Sequence, residues 1–110
     1  MQKSVEAGQL VTLDQVDCII DGLRVKRVGS HNLDIVRDAV DEIVTLPDSE
    51  IFDAMLWLMH HSKLVVEGAA AAPVGALLKG LIKAPAGSKV VSVVSGGNVN
   101  LDQLRGLKWN

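Results

Sequence analysis

The residues best able to do chemistry lie where an apolar run ends, at Val94-Ser95-Gly96-Gly97-Asn98. Two glycines let a ligand approach the backbone, and Ser95 and Asn98 offer hydrogen bonds. In open α/β sheets, ligands sit beyond the carboxyl ends of strands, which is where this segment falls. One reading is a phosphate cradle at a helix N-terminus. The other is an ordinary tight strand-to-helix turn. The segment matches neither the Walker nor the dinucleotide-binding fingerprint, and spacing alone favours the turn.

Glu67 stands between Val65-Val66 and Gly68-Ala69-Ala70-Ala71-Ala72. A carboxylate there either caps the following helix or lines a pocket, and capping is the commoner role. Asp21-Gly22 fits a plain turn. His60 and His61 tempt a metal reading, but adjacent helical residues point about 100° apart. Near a helix C-terminus they complement the dipole instead. His31 is isolated, and no metal-ligand spacing is present. Cys18 has only Arg24 nearby in sequence to lower its pKa, so a reactive thiol is not expected.

These residues need elements to hold them. Met1 to Ala7 predicts a short helix stopped by Gly8, and residues 9–30 show no helical period. Leu23 and Val25 alternate with Arg24 and Lys26, which predicts a brief extended segment. From Ser30, Leu33, Val36, Val40 and Ile43 recur at helical spacing. Ile43-Val44-Thr45-Leu46 predicts a buried strand, and Pro47 stops it. Asp48 is a natural N-cap for a helix running to about Ser62, with Ile51, Met55, Leu58 and Met59 inward. A further helix lies within 67–82, where Pro73 fits only in the first turn.

Lys89-Val90-Val91-Ser92-Val93-Val94 is nearly all apolar, which implies a strand buried on both faces in a parallel sheet. Asn100 and Gln103 make a capping-box pattern that opens a last helix. The fold class is therefore α/β, a partial three-layer parallel-sheet domain over 1–110. Two confident strands do not make a stable sheet, so the domain is expected to be incomplete alone.

The composition narrows the function classes. In 110 residues, 48% are hydrophobic and 22% charged, apolar for a small chain and consistent with surface that normally meets other protein. A net charge of −2 leaves no electrostatic footprint for nucleic acid. With no Tyr, one Phe and two Trp, a base-stacking platform is not expected. The uncharged run 68–78 is too short to span a bilayer. A single cysteine fits a reducing cytoplasm.

Four segments in order carry a resemblance: Asp21-Gly22-Leu23-Arg24-Val25-Lys26-Arg27-Val28-Gly29, Val40-Asp41-Glu42-Ile43-Val44-Thr45-Leu46, Lys63-Leu64-Val65-Val66-Glu67-Gly68-Ala69, and Val94-Ser95-Gly96-Gly97-Asn98-Val99. Together they resemble the threonine dehydratases and serine racemases, pyridoxal-phosphate enzymes of the second fold type, over nearly the whole chain. The resemblance implies that Ser95 hydrogen-bonds the pyridine nitrogen of pyridoxal phosphate. It implies that Gly22 packs against a face of the ring, where a side chain would collide, and that Glu67 is an acidic residue near the ring.

The activity implied is deamination of a β-hydroxy amino acid: threonine to 2-oxobutanoate and ammonia, or serine to pyruvate and ammonia. The family's Schiff-base lysine, phosphate-binding glycine loop and Glu-Ala-Asp metal cluster all precede the segment matched here. None of Lys3, Lys26, Lys63, Lys79, Lys83, Lys89 and Lys108 stands where the nucleophile is needed. The chain is thus expected to correspond to the last third of the catalytic domain, with no catalytic or metal-binding residue of its own. It is expected to be inactive alone and not to bind the cofactor unaided. A complementary N-terminal segment or self-association would complete it; the competing expectation is a non-catalytic, self-associating α/β module.

Overall fold

The structure, a computed structural model, describes residues 1–106, the side chain of Gln103 excepted. Lys108 and the Gln103 half of the expected capping box lie outside the described residues. The chain divides into two compact units, 1–43 and 44–110.

In the first unit, helix α1 spans Gln2–Ala7 and ends, as the sequence predicts, on Gly8 in the left-handed region at φ 66°. Helix α2 spans Ser30–Ala39 and packs on α1. It is shorter than its apolar period, because Val40 turns to an extended conformation (φ −114°, ψ 120°) and is exposed. Between the helices, the Leu13 amide donates to the Lys26 carbonyl at 2.9 Å, and Arg27 Nη1 donates to Thr12 Oγ1 at 2.8 Å. Leu23 does not continue an extended segment. Residues Asp21–Leu23 form a single 3-10 turn, closed by the Leu23 amide on the Ile20 carbonyl at 2.9 Å. The turn chemistry of Asp-Gly outweighs the short alternation that follows it.

The second unit is organised by two antiparallel-capable helices of different character. Helix α3, Asp48–Ser62, starts one residue earlier than an Asp48 cap requires: Pro47 is the N-cap, and Asp48 and Glu50 sit in the first turn, where they suit the positive end of the dipole. Ile51, Ala54, Met55 and Leu58 are buried, while Met59 is half-buried. The helix stops at Lys63 in the left-handed conformation, φ 57°, a geometry that glycine adopts at lower cost. His61 stacks on Trp57 with ring centroids 4.6 Å apart, and its Nδ1 lies 3.0 Å from the Trp57 carbonyl oxygen.

Helix α4, Gly68–Leu78, packs on α3. Its small residues permit the approach. A Cβ placed on Gly75 would stand 3.3 Å from Ala54 Cβ and 3.5 Å from the Glu50 carbonyl, so glycine fits here for closeness rather than backbone freedom. Ala70 and Ala71 are fully buried. Pro73 lies inside the helix, beyond the first turn where the sequence reading places it. The ring leaves the Ala69 carbonyl without its helical donor, and the all-small neighbourhood leaves space for the ring. Lys79 Nζ reaches Glu50 at 3.7 Å and Asp53 at 3.8 Å, an exposed ion-pair cluster between the ends of α3 and α4.

No β-ladder occurs among the described residues, so the expected parallel sheet is not formed. Residues 43–46 and 89–94 have no helical structure, and the latter run from Ser88 to Asn100 without turn or bend. A strand is a relation between two segments, not a property of one. These runs have β propensity but no neighbour to bond. Their burial also differs from expectation: Val91 is 86% and Val93 70% exposed. Helix α5, Leu101–Gly106, opens with the Asp102 amide donating to Asn100 Oδ1 at 2.9 Å, which bears out the Asn100 half of the cap.

Candidate functional site

The second unit brings two of the sequence-predicted site residues together. After Lys63 the chain straightens through Leu64-Val65-Val66, three residues that the sequence reading left without an element. This stretch lies against the turn after the valine run. The Glu67 amide donates to the Gly96 carbonyl at 3.1 Å, and a Cβ on Gly97 would come 3.3 Å from the Val65 carbonyl. The signal was available: consecutive glycines after a β-branched run mark a place where another backbone approaches closely.

Glu67 occupies the N-cap of α4, with φ −73° and ψ 160°, but its side chain makes no capping hydrogen bond. The position of the expected cap is right and its chemistry is not. The carboxylate lies instead over Gly96, where an added Cβ would stand 2.6 Å from Oε1 and 2.8 Å from Cδ. With the carboxylate in this position, no Cβ fits beneath it. Glu67 is half-buried, whereas Ser95 is exposed. Among the described residues neither side chain has a hydrogen bond or ion pair. An alcohol and a carboxylate thus flank a pair of glycines, with their hydrogen-bonding capacity unspent.

Gly22 belongs to the first unit, within the 3-10 turn, and is exposed. Its φ is outside the left-handed region that Gly8, Gly80 and Gly87 occupy, so its own backbone does not demand glycine. Elsewhere in that unit, a cleft of about 470 Å³ is lined by Asp14, Asp17, Cys18, Arg24 and Lys26 among others. Among the described residues, no three metal-ligating side chains gather.

The family of pyridoxal-phosphate dependent enzymes matches residues 1–96. The chain belongs to this family. Curated relatives within it include the L-threonine ammonia-lyase of Geobacter sulfurreducens, 39% identical over 98 residues, covering 89% of this chain and 24% of that protein. The catabolic L-threonine dehydratase of Escherichia coli K12 is 37% identical over 105 residues, covering 94% of this chain and 32% of the relative. Among solved structures, maize serine racemase superposes with a TM-score of 0.82 at 34% identity, over 94% of this chain and 33% of the other. The chain therefore spans about a quarter to a third of the length of these relatives. Its path is that of the pyridoxal-phosphate fold of the second type, whose sheet is not completed within these residues. No helix among the described residues is long and apolar enough to cross a membrane.

The described residues fit the cofactor that the family name implies. Pyridoxal phosphate carries a flat ring with a basic nitrogen. An exposed hydroxyl beside glycines offers the donor that such a nitrogen accepts, and the glycines leave room for a flat ring to approach.

Proposed function

We propose that the chain supplies the ring-nitrogen wall of the pyridoxal-phosphate site in a threonine or serine dehydratase, as one partial domain over 1–110. One observation carries this reading: the unpartnered Glu67 carboxylate set against Gly96, next to the unpartnered Ser95 hydroxyl. The names of the relatives, threonine ammonia-lyase and threonine dehydratase, support deamination of a β-hydroxy amino acid to a 2-oxo acid and ammonia as the activity of the whole enzyme.

When bound, pyridoxal phosphate supplies an electron-withdrawing ring that takes up charge as the Cα proton leaves. Ser95 would hold the ring nitrogen with a neutral O–H donor, which, unlike a carboxylate partner, would not keep that nitrogen protonated. A moderated electron sink suits β-elimination, where the hydroxyl leaves soon after the proton. Glu67 fills the space behind Gly96 and holds the turn carrying Ser95, through the hydrogen bond that its backbone N–H donates to the Gly96 carbonyl. The family resemblance assigns Gly22 to a ring face, where a side chain would collide; its place is in the other compact unit.

Nothing in this reading gives the chain a nucleophile. Treating the 110-residue protein with pyridoxal phosphate and then borohydride is expected to label its exposed lysines sparsely and without preference, as mass spectrometry of the digest would read. One stoichiometrically labelled lysine, together with threonine deamination, would contradict the reading. A second reading, a self-associating module without catalysis, is favoured by one observation: the exposed valines of residues 89–94.

A further inference from the structure

Helix α3 ends where its residue types give no reason to end. No glycine or proline stands between Asp48 and Glu67, and Ser62, Lys63 and Leu64 are all tolerated within helices. The stop is made by Lys63, at φ 57° and ψ 30°, the one non-glycine residue with positive φ among the described residues. A side chain in that region crowds the following carbonyl, and the conformation persists only where its surroundings over-determine it. Here they do. The Lys63 and Leu64 amides both turn back to the Leu58 carbonyl, Leu64 at 3.4 Å. Lys63 Nζ donates to the His60 carbonyl, one of those that a helix end leaves without an amide partner.

We propose that Lys63 is a positioning residue for the Ser95–Glu67 site: its left-handed turn aims residues 64–66 at the glycine turn. Only Leu64, Val65 and Val66 separate Lys63 from Glu67, whose amide meets the Gly96 carbonyl at 3.1 Å. Val66 must also face inward, where it is buried. Successive side chains of an extended run point to opposite faces. Residue 63 therefore sets both the direction in which the chain leaves α3 and the face that receives Val66. A right-handed residue there would prolong the helix and carry Glu67 away from Gly96. The inference rests on the cofactor reading for the identity of the ligand, whereas the Glu67–Gly96 contact can be measured without one.

Amide hydrogen exchange in the 110-residue chain reads that contact, with Glu67 measured against Met55 inside α3 so that a change in overall stability cancels. Lys63→Val, whose branched side chain resists positive φ, should speed exchange at Glu67 relative to Met55 by at least about tenfold. It should also move the Gly96 and Gly97 amide resonances. Lys63→Ala should do the same to a smaller degree, and it carries the test if the valine variant does not fold. Lys63→Gly should restore protection although it lacks Nζ, because glycine adopts the turn freely. Exchange at Glu67 that is indifferent to residue 63, or as fast with glycine as with alanine, would overturn the proposal. In the chain complemented with a separately produced preceding portion of a threonine dehydratase, 4′-deoxypyridoxine 5′-phosphate should bind Lys63→Val at least about tenfold more weakly, and Lys63→Gly should recover the loss. If exchange follows this order but Ser95→Ala leaves that binding intact, the cofactor reading fails and the positioning role stands. Binding that depends on Ser95 but not on residue 63 would sink the positioning role alone.

Discussion

Replacing Ile51 with alanine is expected to cost about 3 kcal/mol of stability, the middle of the range for emptying a buried aliphatic site. Ile51 is 2% exposed on α3, in a unit whose other buried positions are mostly small: Ala54, Ala70, Ala71, Gly75 and Ala76. Alanines pack closely but cannot lean into a cavity, so the site should relax little. Against a typical domain stability of about 5–15 kcal/mol, and with valines left exposed, such a loss should bring the second unit near its unfolding midpoint. Urea titration should show a lower midpoint with an unchanged slope. Ile35→Ala is the control: Ile35 is 64% exposed, and its loss should change stability by less than about 0.5 kcal/mol. Equal effects at the two positions would mean that α3 does not pack as described.

The second large effect concerns the site and should leave stability nearly untouched. Gly96→Val places a Cβ where Glu67 Oε1 stands 2.6 Å away and Cδ 2.8 Å away. The carboxylate is the far end of a flexible side chain, so it can swing aside, and the fold should lose no more than about 1 kcal/mol. The turn, however, loses the group that fills the space behind it. In the chain complemented with a preceding portion of a threonine dehydratase, binding of 4′-deoxypyridoxine 5′-phosphate, a pyridoxal-phosphate analogue without the aldehyde, should weaken at least tenfold, equivalent to about 1.4 kcal/mol. Gly97→Ala meets only the Val65 carbonyl, at 3.3 Å, and should be much milder. If both glycine variants bind as the unaltered chain does, the packing of Glu67 on Gly96 has no part in the site.

Much of the helical framework was legible in the sequence, because its signals are local. Gly8 ends α1 by its left-handed conformation, Pro47 precedes α3, and Ser62 ends it as the apolar period predicts. Errors arose where one local signal competed with another. The Asp21-Gly22 turn prevailed over the alternation at Leu23 to Lys26, and Pro73 was absorbed into α4 by a neighbourhood of alanines. The sheet was not legible in the same way: residues 43–46 and 89–94 have the composition of strands, but their partners are not among these residues.

The candidate site was half legible. Ser95 and Glu67 were recognisable by family resemblance, but their adjacency depends on Leu64-Val65-Val66 reaching Gly96 and Gly97 across a long stretch of chain. The paired glycines announce that some backbone approaches there, but nothing in either segment says which. Glu67 illustrates the point: its position announces a helix cap, whereas its side chain serves the glycine turn.

Backbone amide shifts of the isotope-labelled chain, complemented with a separately produced preceding portion of a threonine dehydratase and titrated with 4′-deoxypyridoxine 5′-phosphate, test the central claim most directly. Lacking an aldehyde, this ligand cannot react with lysines, so the shifts report contact alone. The largest changes are expected at Ser95, Gly96, Gly97 and Glu67, and Ser95→Ala should abolish them. Changes centred elsewhere, or a response that Ser95→Ala leaves intact, would contradict the assignment of that hydroxyl to a pyridine nitrogen.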